Sequence, residues 1–128
     1  MGRRILILQG HPDPDQGRLC RALADAYARG ALNAGHEIRR IDIAALDIPV
    51  LRRQQDFENG SLPPGLTEAQ AAIAWSEHLL LVFPLWLGDL PALLKAFLEQ
   101  VLRPGFAFVY RTKGFPEKRL TGRSARVV

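Results

Sequence analysis

The 128-residue sequence predicts an α/β domain with a doubly wound parallel sheet. Short aliphatic runs alternate along the chain with stretches of helical apolar spacing. One run, His78–Phe83, has no polar residue after its first, as a strand buried on both faces requires. Loops rich in proline, glycine and aspartate separate the runs. Apolar residues at 48% and charged residues at 23% belong to an ordinary globular protein and exclude whole-chain disorder.

Taken in order, Arg3 to Leu8 reads as a buried parallel strand ending in Gln9-Gly10. A loop from His11 to Gly17 follows. Leu19, Leu23, Ala26, Tyr27, Gly30 and Ala31 then recur at helical spacing, and Asn33-Ala34-Gly35 supplies the stop. His36 to Ile43 alternates as a second strand. Pro49 to Gly65 is read as a loop, long for a compact domain.

Thr67 is expected to open the next helix, with Gln70 completing a capping box. The central strand His78–Phe83 leads into a loop from Pro84 to Leu90, and Pro91 suits a first helical turn. Leu93, Leu94, Phe97, Leu98, Val101 and Leu102 form one face of that helix, which Pro104-Gly105 ends. Phe106, Phe108 and Tyr110 alternate with Ala107 and Val109 in an extended segment. Ser124 to Val128 starts a further apolar strand, expected beside His78–Phe83. No helix follows to cover the sheet. The reading is a domain truncated after the start of its fourth strand, its open edge completed by a longer parent or a second copy.

A single cysteine, Cys20, excludes a disulfide scaffold and a cysteine-rich zinc site, and fits a reducing compartment. The apolar stretch Leu79–Leu87 is broken by Pro84 and too short to span a bilayer. Arg3-Arg4 is followed by too short an apolar run for a signal peptide, so the expected location is the cytoplasm. Net charge is +4. From Arg103 onward, Arg103, Arg111, Lys113, Lys118, Arg119, Arg123 and Arg126 stand against Glu117 alone, so this tail carries +6 and the rest −2. Without a repeated stacking motif or a helix-turn-helix pattern, the tail reads as a solvated face or a phosphate-attracting rim, not a nucleic-acid site.

Ligands of open α/β sheets sit at the carboxyl ends of the strands, at the switch point between halves. Two loops qualify. His11–Arg18 runs into a helix N-terminus, whose free N–H groups and dipole attract an anion. There His11 and Arg18 are candidate phosphate donors, Arg18 by a two-pronged contact; the plainer reading is a capped strand end and a solvated arginine. The spacing of the H-P-D-P-D-Q-G segment fails a calcium loop, since the twelfth position from Asp13 is Ala24. Dinucleotide and P-loop glycine signatures are missing. The second loop, P-L-W-L-G-D-L-P from Pro84, places Trp86 where side chains leave the core, offering a flat wall beside exposed amides. Cys20, one turn into the helix, reads from its surroundings as a packed thiol. His36 and His78 begin strands, opposite the expected site, and read as structural.

Q-G-H-P after the first strand, P-L-W followed by P-A-L-L-K after the third, and F-A-F-V-Y after the next helix together resemble the flavodoxin-like NAD(P)H:quinone oxidoreductases, the family of DT-diaphorase and its bacterial relatives. The resemblance covers the whole chain but only the first three-fifths or so of a family member. It implies a flavodoxin-like sheet of strand order 2-1-3-4, with residues 1–128 as a flavin-binding domain. It implies FAD or FMN as cofactor, NAD(P)H as hydride donor, a quinone as acceptor, and a homodimer. By position, His11 matches the histidine on the flavin phosphates. Arg18-Leu19-Cys20 stands where the family reads Ser-Phe-Asn, losing a hydroxyl and an amide but gaining a cation. Pro84, Leu85, Trp86 and Leu87 match the loop at the isoalloxazine edge, with a smaller shelf because Leu87 and Gly88 replace further aromatics. Phe108 and Tyr110 match the pair lining the quinone pocket across the dimer. The family's Tyr and His that assist hydride transfer fall beyond Val128, so no catalytic residue is assigned. The alternative is a non-catalytic flavin- or nucleotide-binding regulatory subunit, like the ancillary subunits of potassium efflux systems.

Overall fold

The computed structural model describes residues 2–15, 17–109 and 117–128. Strand β1 (Arg4–Gln9) precedes helix α1 (Leu19–Asn33), strand β2 (Glu37–Asp42) and a 3-10 turn at Ile43–Ala45. Helices α2 (Gln54–Asn59) and α3 (Leu66–Trp75), strand β3 (His78–Val82) and helix α4 (Ala92–Val101) follow. Short strands β4 (Phe108–Val109) and β5 (Glu117–Lys118) then precede β6 (Ser124–Val127). Four strands pair in parallel in the order β2-β1-β3-β6, the expected 2-1-3-4.

Alternation along the two inner strands builds three layers. Ile5, Ile7, Leu80 and Val82 face α1 and meet Cys20, Ala24, Ala28 and Ala31. Leu6 and Leu8, with partly buried Leu79, Leu81 and Phe83, face α3 and α4, where Leu94, Phe97 and Val101 are fully buried. Burying a side chain of that size contributes roughly 1.5–3 kcal/mol. Helix α1 ends as expected: Gly35 takes φ +86°, its N–H bonds Leu32 O, and the N–H of His36 bonds Ala31 O.

Several local expectations are corrected. The buried stripe of α1 is small, Cys20-Ala24-Ala28-Ala31, while Leu19 and Leu23 are exposed. Alanines let the helix lie close to the sheet, and they carry less hydrophobic signal than the leucines beside them. The capping box is not formed: α3 starts at Leu66 behind Gly65 at φ +88°, and Gln70 donates across to Val101 O at 3.0 Å. Pro91 is the N-cap of α4, one position before its first turn. The Pro49–Gly65 segment contains α2. Phe106 lies in a turn, and only Phe108–Val109 is extended, paired with Glu117–Lys118 in a separate two-stranded ribbon.

The basic tail is not a uniformly solvated face either. Arg103 is buried: Nη1 donates to Asp56 O (3.0 Å) and Gly60 O (2.9 Å), Nε to Gln100 O (2.8 Å), and Nη2 to Gln100 Oε1. Gln100 Nε2 donates to Pro49 O at 2.7 Å. These bonds hold the long connection 46–65 on the end of α4. Arg123 donates to Ser76 O and Ala74 O, the final carbonyls of α3. Arg103→Met removes the donor to the Gly60 and Gln100 carbonyls and to Gln100 Oε1, while Asp56 O keeps the Gly60 N–H, and should cost about 2–4 kcal/mol in denaturant melts, whereas exposed Arg126→Ala should stay within about 0.5 kcal/mol. Equal effects would sink this assignment.

His78 places Nδ1 2.7 Å from Ser124 Oγ, joining β3 to β6, and His36 Nδ1 accepts the Arg3 N–H, so both histidines are structural as expected. Burial, then the charges of Arg126 and Arg3, hold the His78 imidazole below its ordinary 6.5. The folded chain therefore binds this proton more weakly than the unfolded one, so stability is complete above pH 6.5 and declines as pH falls below it. Melts from about pH 8 to about pH 5 should show that decline, and His78→Gln should flatten it.

Candidate functional site

Pairing of β1 with β3 continues past the strands, because the N–H of Gly10 donates to Val82 O at 2.7 Å. A Cβ on Gly10 would stand 2.7 Å from Leu94 Cδ2 and 3.1 Å from both Phe83 Cβ and Val82 O, so only glycine fits without a shift. The loops after β1 and β3 therefore leave the sheet side by side. Their first meeting point is His11, only 9% exposed, whose ring lies edge-on to Trp86 at 5.8 Å and 87°. Nδ1 of His11 accepts the Asp13 N–H at 3.0 Å, which assigns the neutral ring proton to Nε2. Among the described residues Nε2 has no partner.

His11, Arg18, Leu19, Cys20 and Pro84 line one cavity of about 420 Å³, together with Leu23, Phe83 and Val128. Leu19 and Cys20 open α1; no backbone acceptor among the described residues meets the Leu19 N–H, while the Cys20 N–H lies against its own sulfur. Burial pushes the Cys20 thiol above its usual range, which keeps it protonated and packed. Arg18, the N-cap of α1, makes no cap bond; its Nε and Nη2 donate to Asp13 Oδ2 at 3.1 and 2.6 Å. Asp13 Oδ1 accepts the Asp15 N–H, and Asp15 Oδ1 that of Gly17, so two aspartates brace the loop. The Asp15 N–H and then the Arg18 guanidinium hold the Asp13 carboxyl below the usual carboxylate range.

The second loop is a tight hairpin. Trp86 and Asp89 exchange backbone bonds of 2.9 and 3.2 Å around Leu87 at φ +53° and Gly88 at φ +76°. Two positive φ angles suit a turn that matches strand twist, but leucine is strained there. The hairpin thrusts Leu85, Trp86 and Leu87 into solvent, Leu87 completely.

Phe108 is not brought to this cavity. Its ring sits 6.5 Å from Phe57 of α2, beyond the C-terminal end of α4, whereas Trp86 precedes the N-terminal end. The ten-residue helix α4, about 15 Å long, lies between them in the chain. Tyr110 lies outside the described residues. A groove of about 610 Å³ between β2 and α3 contains none of the expected site residues.

Sequence reasoning missed the loop's foundation. Arg21, 3% exposed, grips Asp42 at the end of β2 (Nη1–Oδ2 2.8 Å, Nη2–Oδ1 3.3 Å) and donates to Asp13 O at 3.2 Å. Gln9, also buried, accepts from Arg40 Nη2 at 3.1 Å. A charged residue exactly four before Asp25 gave no sign of facing inward; only the true buried stripe of α1, one residue away at Cys20, marks Arg21 as near the sheet.

A family model described as a flavodoxin-like fold matches residues 3–128. The chain is 29% identical over 106 residues to an uncharacterized NAD(P)H oxidoreductase of Haemophilus influenzae, covering 80% of this chain and 52% of that protein. It is 27% identical over 148 aligned positions to FMN-dependent NADH:quinone oxidoreductase 9 of Burkholderia lata, covering 98% of this chain and 66% of that one. The solved NAD(P)H:quinone oxidoreductase from Methanothermobacter marburgensis superposes with a TM-score of 0.77 at 25% identity, over 99% of this chain and 66% of that chain. The chain thus spans about half to two thirds of the length of these proteins.

Relieving the strained turn should separate stability from site shape. Leu87→Asn should raise stability by roughly 1 kcal/mol in thermal melts, because asparagine tolerates the left-handed region. A destabilised variant would mean that the Leu87 side chain holds the hairpin together.

Proposed function

This chain belongs to the flavodoxin-like fold family, and from that premise we propose that it is the flavin-holding part of an NAD(P)H:quinone oxidoreductase, with residues 1–128 forming its flavin-binding domain and FMN as cofactor. One observation carries the reading. His11 is buried as a residue, its Nε2 meets no partner among the described residues, and it shares a cavity with the helix-start amide of Leu19 and with Pro84, while its ring touches the exposed indole of Trp86. An anion-binding end thus adjoins a flat apolar end, the two demands of a flavin mononucleotide. Relatives named for FMN dependence support FMN over FAD.

His11 Nε2 and the helix-start amide of Leu19 would donate to the phosphate; Trp86 and the backbone of Pro84, Leu85 and Leu87 would flank the ring. The cofactor, when bound, supplies hydride acceptance and two-electron delivery to the quinone. The chain's own part is to orient it and to leave one face open beside Leu87, whose side chain makes a smaller shelf than an aromatic. Phe108, at the far end of α4 from Trp86, belongs in this reading to the quinone pocket of a second copy, along with Tyr110, and the active form is a homodimer. Among the described residues no helix is long and apolar enough to cross a membrane. A sequence with one cysteine, Cys20, fits a reducing, cytoplasmic setting.

FMN titrated into the chain should lose fluorescence at micromolar protein. His11→Phe, which keeps a ring beside Trp86 but removes the donor, should weaken FMN by about 1–2 kcal/mol and leave riboflavin nearly unchanged. Arg52→Ala, in a separate cleft with Arg53 and Phe57, should do nothing. A flat titration with the unaltered chain would overturn the flavin reading. Flavin uptake in a parent protein that oxidises no NAD(P)H would favour the regulatory-subunit alternative.

A further inference from the structure

We propose that Asp13 is an internal competitor for the ligand's phosphate: its Oδ2 takes both the Nε and the Nη2 of Arg18, two donors a phosphate would use, so that flavin phosphate and Asp13 contend for one cation. The inference rests on the proposed flavin site and adds to it a residue that sets how strongly phosphate is preferred. Its basis is geometric. Arg18 stands at the N-cap position of α1 and lines the cavity, yet both its Nε and Nη2 donate to Asp13 Oδ2. The cavity's other donors are not spent in this way. Among the described residues, nine-tenths-buried His11 has no partner for Nε2 and the Leu19 amide meets no backbone acceptor.

Asp13 is held where it is by more than Arg18. Its Oδ1 takes the Asp15 N–H at 2.9 Å, and its carbonyl takes the buried Arg21 guanidinium at 3.2 Å. Arg21 is itself clamped to Asp42, so the backbone of Asp13 is anchored while its carboxylate remains half-exposed. The carboxylate therefore cannot drift away when phosphate arrives. Either Arg18 swings from one anion to the other, or phosphate binds on His11 and the Leu19 amide alone with a negative charge close by. Both routes cost phosphate affinity and leave the ring end untouched, since Trp86 meets His11 and not Arg18.

Asp13→Asn tests this cleanly, because the amide oxygen can still accept the Asp15 N–H while the charge is removed. Calorimetric titrations would use three probes, FMN, riboflavin and inorganic phosphate, against the full chain, Asp13→Asn, and Asp13→Asn with Arg18→Gln. Competition predicts that Asp13→Asn binds FMN and inorganic phosphate about fivefold more tightly, the worth of an exposed ion pair, with riboflavin unchanged. The gain should vanish when Arg18→Gln is added. Weaker phosphate binding by Asp13→Asn would make Asp13 a positioner of Arg18 and overturn the proposal. An equal gain for riboflavin, a gain that survives Arg18→Gln, or no gain for either phosphate probe would overturn it as well. The two readings fail separately. FMN binding without a gain removes the competition but keeps the flavin site; a gain for inorganic phosphate without FMN binding removes the flavin site but keeps the competition.

Discussion

Side by side at the centre of the sheet, β1 and β3 pair from Ile5–His78 to Gln9–Val82, and everything else takes its place from that contact. Both strands are aliphatic on both faces, so each needs a helical layer above and below. Parallel pairing of the two requires a crossover through β2 and α3, and this crossover leaves the loops after β1 and β3 at the same edge. Gly10 carries the pairing one residue further and admits no side chain against Leu94 and Phe83. The contact between His11 and Trp86 is a direct consequence: two residues 75 positions apart meet because their strands end at the same level.

The loop after β1 is built with more negative charge than an anion site needs. Asp13 and Asp15 shape it through backbone N–H bonds, and Asp13 also neutralises Arg18. Short aspartates are efficient loop builders because one carboxylate fixes a turn two residues on. The same carboxylates weaken the field at the helix start. Among the described residues, His11 Nε2 and the Leu19 amide stay without a partner above the Arg21–Asp42 pair. Such a buried pair is not in itself strong evidence of stability, since desolvation offsets most of its attraction. Its consequence here is placement: it joins α1, β2 and the Asp13 carbonyl at one point.

At the opposite end of α4 a different polar cluster does comparable work. Arg103 and Gln100 satisfy three carbonyls of the 46–65 connection and bring α2, with Phe57, against Phe108. The aromatic residues of the chain are thereby divided between two ends of one helix, Trp86 at its start and the Phe57–Phe108 pair past its finish.

The sequence by itself determined the layers and their order. Runs such as Arg3–Leu8 and His78–Phe83 are unambiguous because burial on both faces excludes polar residues, and Gly35 announces the end of α1 because only a left-handed residue closes that cap. It also marked both loops of the candidate site, since His11 and Trp86 stand at strand ends. Tertiary structure decided the rest. The alanine stripe of α1 was hidden by louder leucines, because close approach to the sheet, not side-chain size, chose the buried face. Gly65 and a long-range bond from Gln70 displaced the capping box, and Arg103 went inward to donate to carbonyls 43 and 47 residues away. The pairing of Arg18 with Asp13 and of Arg21 with Asp42 likewise followed from distances that no spacing along the chain encodes. A periodic pattern reports which face of an element is apolar; which charges meet depends on how separate elements are brought together.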